Sequence, residues 1–352
     1  MEILNDGIVD YVALFYDFAN NSEAILAHQE IIKRIQQTDQ LVFFTHPNPD
    51  EDAIGSSIAL ACLAYEINPQ IRLQLNLPSP ANFEYDFLKK SLNFPLIIKE
   101  GEEKIRGEAF SCPIVLLDIG SITRLQPLSD ILEVGPIINI DHHPQSPNKQ
   151  LDNLEVNFVD PNFQSTSEMI FWLTLKTDVC FNPPMASAIL LGIFGDTEYY
   201  QSPYLPPRID ILKHFLKKQG ADEESIIKDT IRAQKKEIFQ ILPEVLKLTR
   251  FKDGVAYIVI PYELYRKYTQ NGSISFPKAY LARLIRNIKD LDYAFVIVET
   301  EPGKLDCSLR ARTNNCNLKK YESPRVHKRK SIAESESKLA GSSGSERHSE
   351  FP

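Results

Sequence analysis

The feature that most constrains the fold of this chain is a set of four short apolar runs, Leu41–Thr45, Ile71–Leu75, Ile114–Leu117 and Ile137–Ile140. At least three of them are followed directly by polar residues and turn formers. Runs of this length, apolar throughout rather than alternating, are expected of parallel strands buried on both faces of a sheet. Helical patterns separate or follow them, at Ala53–Ile67, Ser165–Lys176, Met185–Phe194 and Ile209–Lys218. Strand and helix in alternation predict an α/β fold with a doubly wound, mostly parallel sheet, whose ligands sit beyond the carboxyl ends of the strands.

The rest of the chain divides around that unit. Ile8, Val12, Phe15 and Phe18, then Ile25, Ile31, Ile32 and Ile35, recur at spacings of three and four, so residues 1–40 are predicted to be a helical extension packed on the domain that follows. The α/β domain is assigned to residues 41–222, and a highly charged helical linker to residues 223–250. A smaller, incomplete α+β domain is assigned to residues 251–318, with strands at Val255–Ile260, Tyr293–Glu299 and Leu305–Ala311 and a helix around Tyr280–Ile288. Residues 319–352 are Ser- and Lys-rich with almost no apolar periodicity, and are predicted to be a disordered tail.

Charge narrows the function classes. The chain carries a formal charge of −8 over 352 residues, but residues 304–352 hold eleven Lys/Arg against six Asp/Glu, so the first 303 residues carry −13. An acidic body is no general polyanion trap; action on phosphates requires metal ions or a local arginine cluster. Six Lys/Arg between Lys319 and Lys330 allow a nucleic-acid patch, though a solvated tail is the favoured reading. Five widely spaced cysteines with no C-x-x-C pair argue for reduced thiols over a disulfide framework or zinc ribbon. No stretch reaches the ~20 apolar residues of a membrane span. The acidic first nineteen residues do not read as a secretory signal, so a cytoplasmic protein is expected.

Acids and histidines fall where a site on such a sheet is built. Phe44-Thr45 is followed by H-P-N-P-D-E-D-A-I-G-S-S, which presents His46, Asp50 and Asp52; Leu117 is followed by Asp118, Gly120 and Ser121; Ile140 is followed by Asp141, His142 and His143. The pattern L-L-G-I-F-G-D-T places Asp196 at the end of an apolar segment. A lone strand-end aspartate is most often a cap or turn former. Four clusters together, with two adjacent histidines that packing does not explain, point to a metal site. Mixed imidazole and carboxylate donors suit Mn²⁺, Fe²⁺, Co²⁺ or Zn²⁺. Their number exceeds what one ion requires, so two metals are expected, sharing a bridging carboxylate and a hydroxide nucleophile. His28, His214, His327 and His348 are read as ordinary helix or tail residues.

The motifs H-x-x-P-D-x-D-A-I-G-S-S, L-L-D-x-G-S, D-H-H-P and G-I-F-x-D-T, in this order and spanning His46 to Asp196, resemble the DHH phosphoesterase superfamily. Within it the chain resembles bacterial oligoribonucleases that are also phosphoadenosine phosphatases. Its resemblance implies a two-metal, manganese-dependent phosphoesterase in which His46, Asp50 and Asp118 hold one ion and Asp52, Asp118, His142 and Asp196 the other. Asp118 then bridges, His143 faces the substrate phosphate, and Asp141 supports the cluster from behind. Glu168 is left open between support of the site and a solvated helix face. Implied substrates are a short oligonucleotide or a small nucleotide such as 3′-phosphoadenosine 5′-phosphate; a homodimer is left open.

Two departures bear on function. Glu198 stands where the family usually has a small residue. Ser308–Thr313 resembles the family's arginine-bearing strand, so Arg310 and Arg312 are expected to bind substrate phosphate, yet a Ser- and Lys-rich sequence replaces the Gly-rich turn the family places next. The alternative reading is therefore a nucleotide-binding or regulatory module with impaired catalysis.

Overall fold

All four apolar runs are strands in the computed structural model, which describes residues 22–311 except 129–131, 133–134, 145–152, 202–204, 231, 233–235 and 270–275. The chain forms two compact units, Met1–Ala233 and Gln234–Pro352.

The first unit opens with α1 (Ser22–Gln37), whose Ala24, Ile31 and Ile35 enter the core. The predicted pairing of 1–40 with the following domain is seen for this helix; the apolar positions Ile8 to Phe18 lie outside the described residues. Then come β1 (Gln40–Phe44), α2 (Glu51–Ile67), β2 (Arg72–Leu77), α3 (Asp86–Ser91), β3 (Leu96–Glu100), α4 (Glu102–Ile105), β4 (Ile114–Leu117), a 3₁₀ turn (Ile122–Leu128), β5 (Ile137–Asp141), β6 (Leu154–Val159), α5 (Thr166–Leu175), α6 (Pro183–Asp196), α7 (Arg208–Lys218) and α8 (Glu223–Asp229). The strands form one parallel sheet in the order β3-β2-β1-β4-β5-β6. Strand order reverses between β1 and β4, which opens a crevice at their carboxyl ends.

Burial on both sheet faces explains the unbroken apolar runs. Leu41 and Phe43 point into one core with α2, α5 and α6, while Val42 and Phe44 point into a second with Ile105, Leu125 and Leu128. β3 and β6 were not anticipated from sequence. Both are edge strands, and partial exposure leaves them with polar residues, L-I-I-K-E and L-E-V-N-F-V, that dilute the apolar signal.

Helices α2 and α6 cross almost backbone to backbone. A Cβ on Gly55 would stand 2.5 Å from the carbonyl oxygen of Ala188 and 2.8 Å from the amide nitrogen of Gly192. One on Gly195 would stand 2.7 Å from Cβ of Glu51. Both helices are buried over most of their length, so their apolar residues face neighbours on every side. The approach fixes Asp52, in the first turn of α2, against Asp196, the last residue of α6.

The second unit contains α9 (Lys236–Leu246), β7 (Arg250–Lys252), β8 (Val255–Ile260), α10 (Tyr262–Thr269), α11 (Lys278–Arg286), β9 (Tyr293–Glu301) and β10 (Lys304–Ala311). Its sheet runs β10-β9-β8-β7, with β8 and β9 parallel and the outer pairs antiparallel. Ile241, Val245, Ile258, Leu281, Ile285 and Val296 share its core. A single connecting helix over 223–250 is not what forms. Helix α8 ends at Asp229 and belongs to the first unit, tied by Asp222 N–H to Ser187 Oγ at 2.9 Å; α9 begins at Lys236 and lends Ile241 and Val245 to the second core. The charged face of each segment made the two resemble one amphipathic helix. Residues 319–352 lie outside the described residues.

Candidate metal centre

The crevice at the β1/β4 switch point gathers the predicted site residues of the first unit. His46 follows β1 and is buried; its Nδ1 faces the carbonyl oxygen of Pro47 at 2.9 Å. A carbonyl only accepts, so Nδ1 carries a hydrogen and Nε2 faces the carboxylates, 3.5 Å from Asp50 Oδ2 and 3.6 Å from Asp118 Oδ2. Asp50 caps α2, accepting Ala53 N–H on Oδ1 at 3.1 Å. One carboxylate oxygen of Asp50 thus serves as a helix cap, while the other turns toward His46.

Asp118 ends β4 with a left-handed backbone, φ 56°, and its N–H bonds to the carbonyl oxygen of Ile140 at 3.2 Å. An Asp tolerates that conformation better than most residues, and the turn drives its carboxylate into the crevice. Its Oδ1 lies 3.6 Å from His142 Nε2 and 3.2 Å from His143 Nδ1.

Asp52 is fully buried, and both its oxygens accept backbone N–H groups at the start of α5, from Thr166 at 2.6 Å and Ser167 at 2.8 Å. A helix N-terminus is a suitable counter-charge for it. Asp196 has the opposite placement, at the C-terminal end of α6, where a carboxylate meets the negative end of the helix dipole. His142 Nε2 stands 2.9 Å from Asp196 Oδ2 without the alignment of a hydrogen bond.

Asp141 holds the far side. It accepts N–H from Gly120 and, at 2.8 Å, from His143, and its Oδ1 is 2.9 Å from His143 Nδ1. Nδ1 of His143 is thus committed to carboxylates, and its side chain is 44% exposed against 15% for His142. The two adjacent histidines therefore face different surroundings.

Donor atoms converge in three sets within 4.8 Å: His46, Asp50 and Asp118; Asp52, His142 and Asp196; and Asp118, His142 and His143. Donors bound at ~2.1 Å to one ion stand roughly 3–3.5 Å apart, which matches the separations seen. Charge agrees. Burial lowers His46 and His142, yet the carboxylates around them win and raise these to about 10 and about 9; Asp118 and Asp141 raise His143 to about 11. Burial, then the charges of Asp118 and Asp196, raises Asp52; burial raises Asp196 to about 6 despite His142. Burial alone would raise Asp118, but hydrogen bonds from His143 and His46 outweigh it and hold it well below the usual carboxylate range. Carboxylates so crowded suit a cation, and the residues present fit divalent metal.

Supporting residues that the sequence reading missed are chiefly backbone: the Thr166 and Ser167 amides and bare Gly192, where a Cβ would meet Ser167 Oγ and lie 2.5 Å from Asp52 Oδ1. Only the tertiary crossing reveals them. Glu168 is not solvated. It is fully buried, caps α5 by accepting Gln164 N–H, and pairs with Arg208 Nε at 2.7 Å. Breaking such a pair leaves an uncompensated buried charge. Glu168→Ala is expected to cost about 3 kcal/mol, read as a lower urea midpoint. Glu198 begins three successive left-handed residues, and the turn returns Tyr199 Oη to Glu51 at 2.6 Å. Among the other histidines, His28 packs edge-on to Trp172 and His214 lies in α7. Arg310 sits in β10 of the second unit with Nη1 donating to the carbonyl oxygen of Leu309; Arg312 lies outside the described residues, as do His327 and His348.

Residues 40–193 match the DHH family, N-terminal domain. The chain is 28% identical over 174 residues to the bifunctional oligoribonuclease and PAP phosphatase NrnA of Mycoplasma pneumoniae, covering 49% of this chain and 50% of that one. It is 26% identical over 172 residues to a probable manganese-dependent inorganic pyrophosphatase of Enterococcus faecalis, covering 47% and 50%. In each case the chain spans half the length of the relative. The crystal structure of an exopolyphosphatase-related protein from Bacteroides fragilis superposes with a TM-score of 0.65 at 21% identity, over 82% of this chain and 83% of that one, which shows a shared fold. Residues 40–193 therefore match a DHH-family N-terminal domain, as the motifs suggested. Among the described residues, no helix is long and apolar enough to cross a membrane.

Proposed function

We propose that this chain is a two-metal phosphoesterase, manganese-dependent, that hydrolyses short oligonucleotides or small nucleotide phosphates such as 3′-phosphoadenosine 5′-phosphate. The observation that carries the reading is Asp118, whose two oxygens reach toward His46 on one side and His142 on the other. His46, Asp50 and Asp118 would hold one ion, and Asp52, Asp118, His142 and Asp196 the second. When bound, two divalent ions supply charge neutralisation and Lewis-acid polarisation for in-line displacement at phosphorus.

The chain's own residues do the rest. Asp141 fixes the His143 ring through Nδ1, which leaves Nε2 to donate a proton-bearing contact to a phosphate oxygen. The α5 amides hold Asp52 in place, and the Tyr199–Glu51 contact ties the turn after Asp196 to the first turn of α2. Free thiols at Cys62, Cys112, Cys180 and Cys307 support a cytoplasmic setting.

The two histidines separate binding from turnover. His142→Ala is expected to lower manganese occupancy, and His143→Ala to leave occupancy intact while cutting turnover about a hundredfold. Equal metal loss in both variants would overturn the assignment. The function itself is tested by Mn²⁺-dependent hydrolysis of a dinucleotide, 3′-phosphoadenosine 5′-phosphate, a cyclic dinucleotide and pyrophosphate. Release of nucleoside monophosphate from either of the first two is expected. Tight binding with no hydrolysis of any of them would instead support the regulatory module.

A further inference from the structure

The acidic crevice brings substrate phosphate beside many carboxylates, so a cation of the chain's own should face the phosphate in addition to metal. Arg124 lies in the 3₁₀ turn that follows β4, six residues after Asp118. Its backbone N–H bonds to the carbonyl oxygen of Ser121 at 2.9 Å, and its Nη1 donates to that of Ile119 at 3.0 Å. The second of these bonds turns the side chain back toward the β4 loop while leaving the residue exposed.

The folded side chain ends beside Gly120. A Cβ placed on that glycine would stand 3.6 Å from Arg124 Nη1 and 3.7 Å from Cγ of the His143 ring. Guanidinium and imidazole therefore flank one bare α-carbon. Gly120 has a left-handed φ of 68°, so the position both requires glycine and keeps the gap open. Arg124 makes no ion pair with a described carboxylate and is exposed, with Nε and Nη2 directed to no described acceptor. A planar fork held at one nitrogen and open at the others suits bidentate capture of phosphate oxygens.

We propose that Arg124 is a substrate-binding residue that takes a non-bridging phosphate oxygen next to His143. The proposal rests on the phosphoesterase reading for the reaction, but the binding step can be measured alone. Arg124→Gln and Arg124→Lys would be compared with the parent in the manganese-loaded full chain. The readouts are KM and kcat for whichever substrate of the panel turns over, and the Kd of inorganic phosphate by calorimetry.

Arg124→Gln is expected to raise KM and the phosphate Kd at least tenfold, with manganese content and Tm unchanged, and Arg124→Lys to recover part of the loss. KM, kcat and Kd all within twofold of the parent would overturn the proposal. If the parent hydrolyses nothing, the phosphoesterase reading fails, yet phosphate binding that Arg124→Gln weakens tenfold would still sustain the role of Arg124. A manganese-loaded parent that neither hydrolyses any substrate of the panel nor binds phosphate would overturn both.

Discussion

Asp118→Ala is expected to reduce Mn²⁺-dependent hydrolysis to below about a thousandth of the parent rate, a barrier increase of roughly 4 kcal/mol. No other carboxylate of the cluster has one oxygen within 3.6 Å of His46 and the other within 3.6 Å of His142 among the described residues. Its loss would remove a donor from both proposed ions at once. The fold should suffer less than the chemistry but not escape, because Asp118 repels Asp52 and Asp196 while hydrogen bonds from His143 and His46 favour its charged form. Alanine carries its own cost of about 1 kcal/mol at a left-handed position. Asp118→Asn is the better comparison, since asparagine tolerates that backbone and keeps the shape while losing the charge. Both variants should be inactive at a Tm within a few degrees of the parent. Retention of more than a tenth of turnover in either, with both metals bound, would remove the bridging role.

The second large effect is on stability. Gly192→Ala replaces a helical glycine, a change that ordinarily gains about 1 kcal/mol in helix propensity. Here the new methyl would enter space held by Ser167 Oγ and stand 2.5 Å from Asp52 Oδ1. Neither can yield cheaply: Ser167 is in the first turn of a buried helix, and Asp52 is pinned by two amide hydrogen bonds. Overpacking of this kind costs about 3 kcal/mol, at the upper end for buried sites, so the clash outweighs the propensity gain. A fall in Tm of roughly 4–8 °C for the net loss and weaker manganese binding are expected together, because the same methyl displaces a proposed ligand. An unchanged or higher Tm would mean that the α2–α6 crossing is looser than described.

Much of this architecture is legible in the sequence, for physical reasons that differ by element. β1, β4 and β5 are buried on both faces, so their apolar residues are consecutive and the acids and histidines after Phe44, Leu117 and Ile140 stand out at the ends. Asp52 and Asp196 are readable only as members of motifs, since one lies inside a helix turn and the other at a helix end. What escaped was whatever depends on neighbours distant in sequence: edge strands β3 and β6, the glycine crossing, the capture of Asp52 by α5 amides, and the burial of Glu168 against Arg208. Arg124 escaped for a related reason. Only the fold of its side chain over Gly120 distinguishes it from an ordinary surface arginine.

The central claim is that six side chains of the crevice, His46, Asp50, Asp52, Asp118, His142 and Asp196, form one centre for two ions. Its most direct test is manganese stoichiometry by equilibrium dialysis of the full chain against Mn²⁺, with metal and protein counted separately. Two ions per chain are predicted for the parent, and no more than one for Asp118→Asn. A parent that binds one ion or none, or an Asp118→Asn variant that still binds two with parental affinity, would contradict the account.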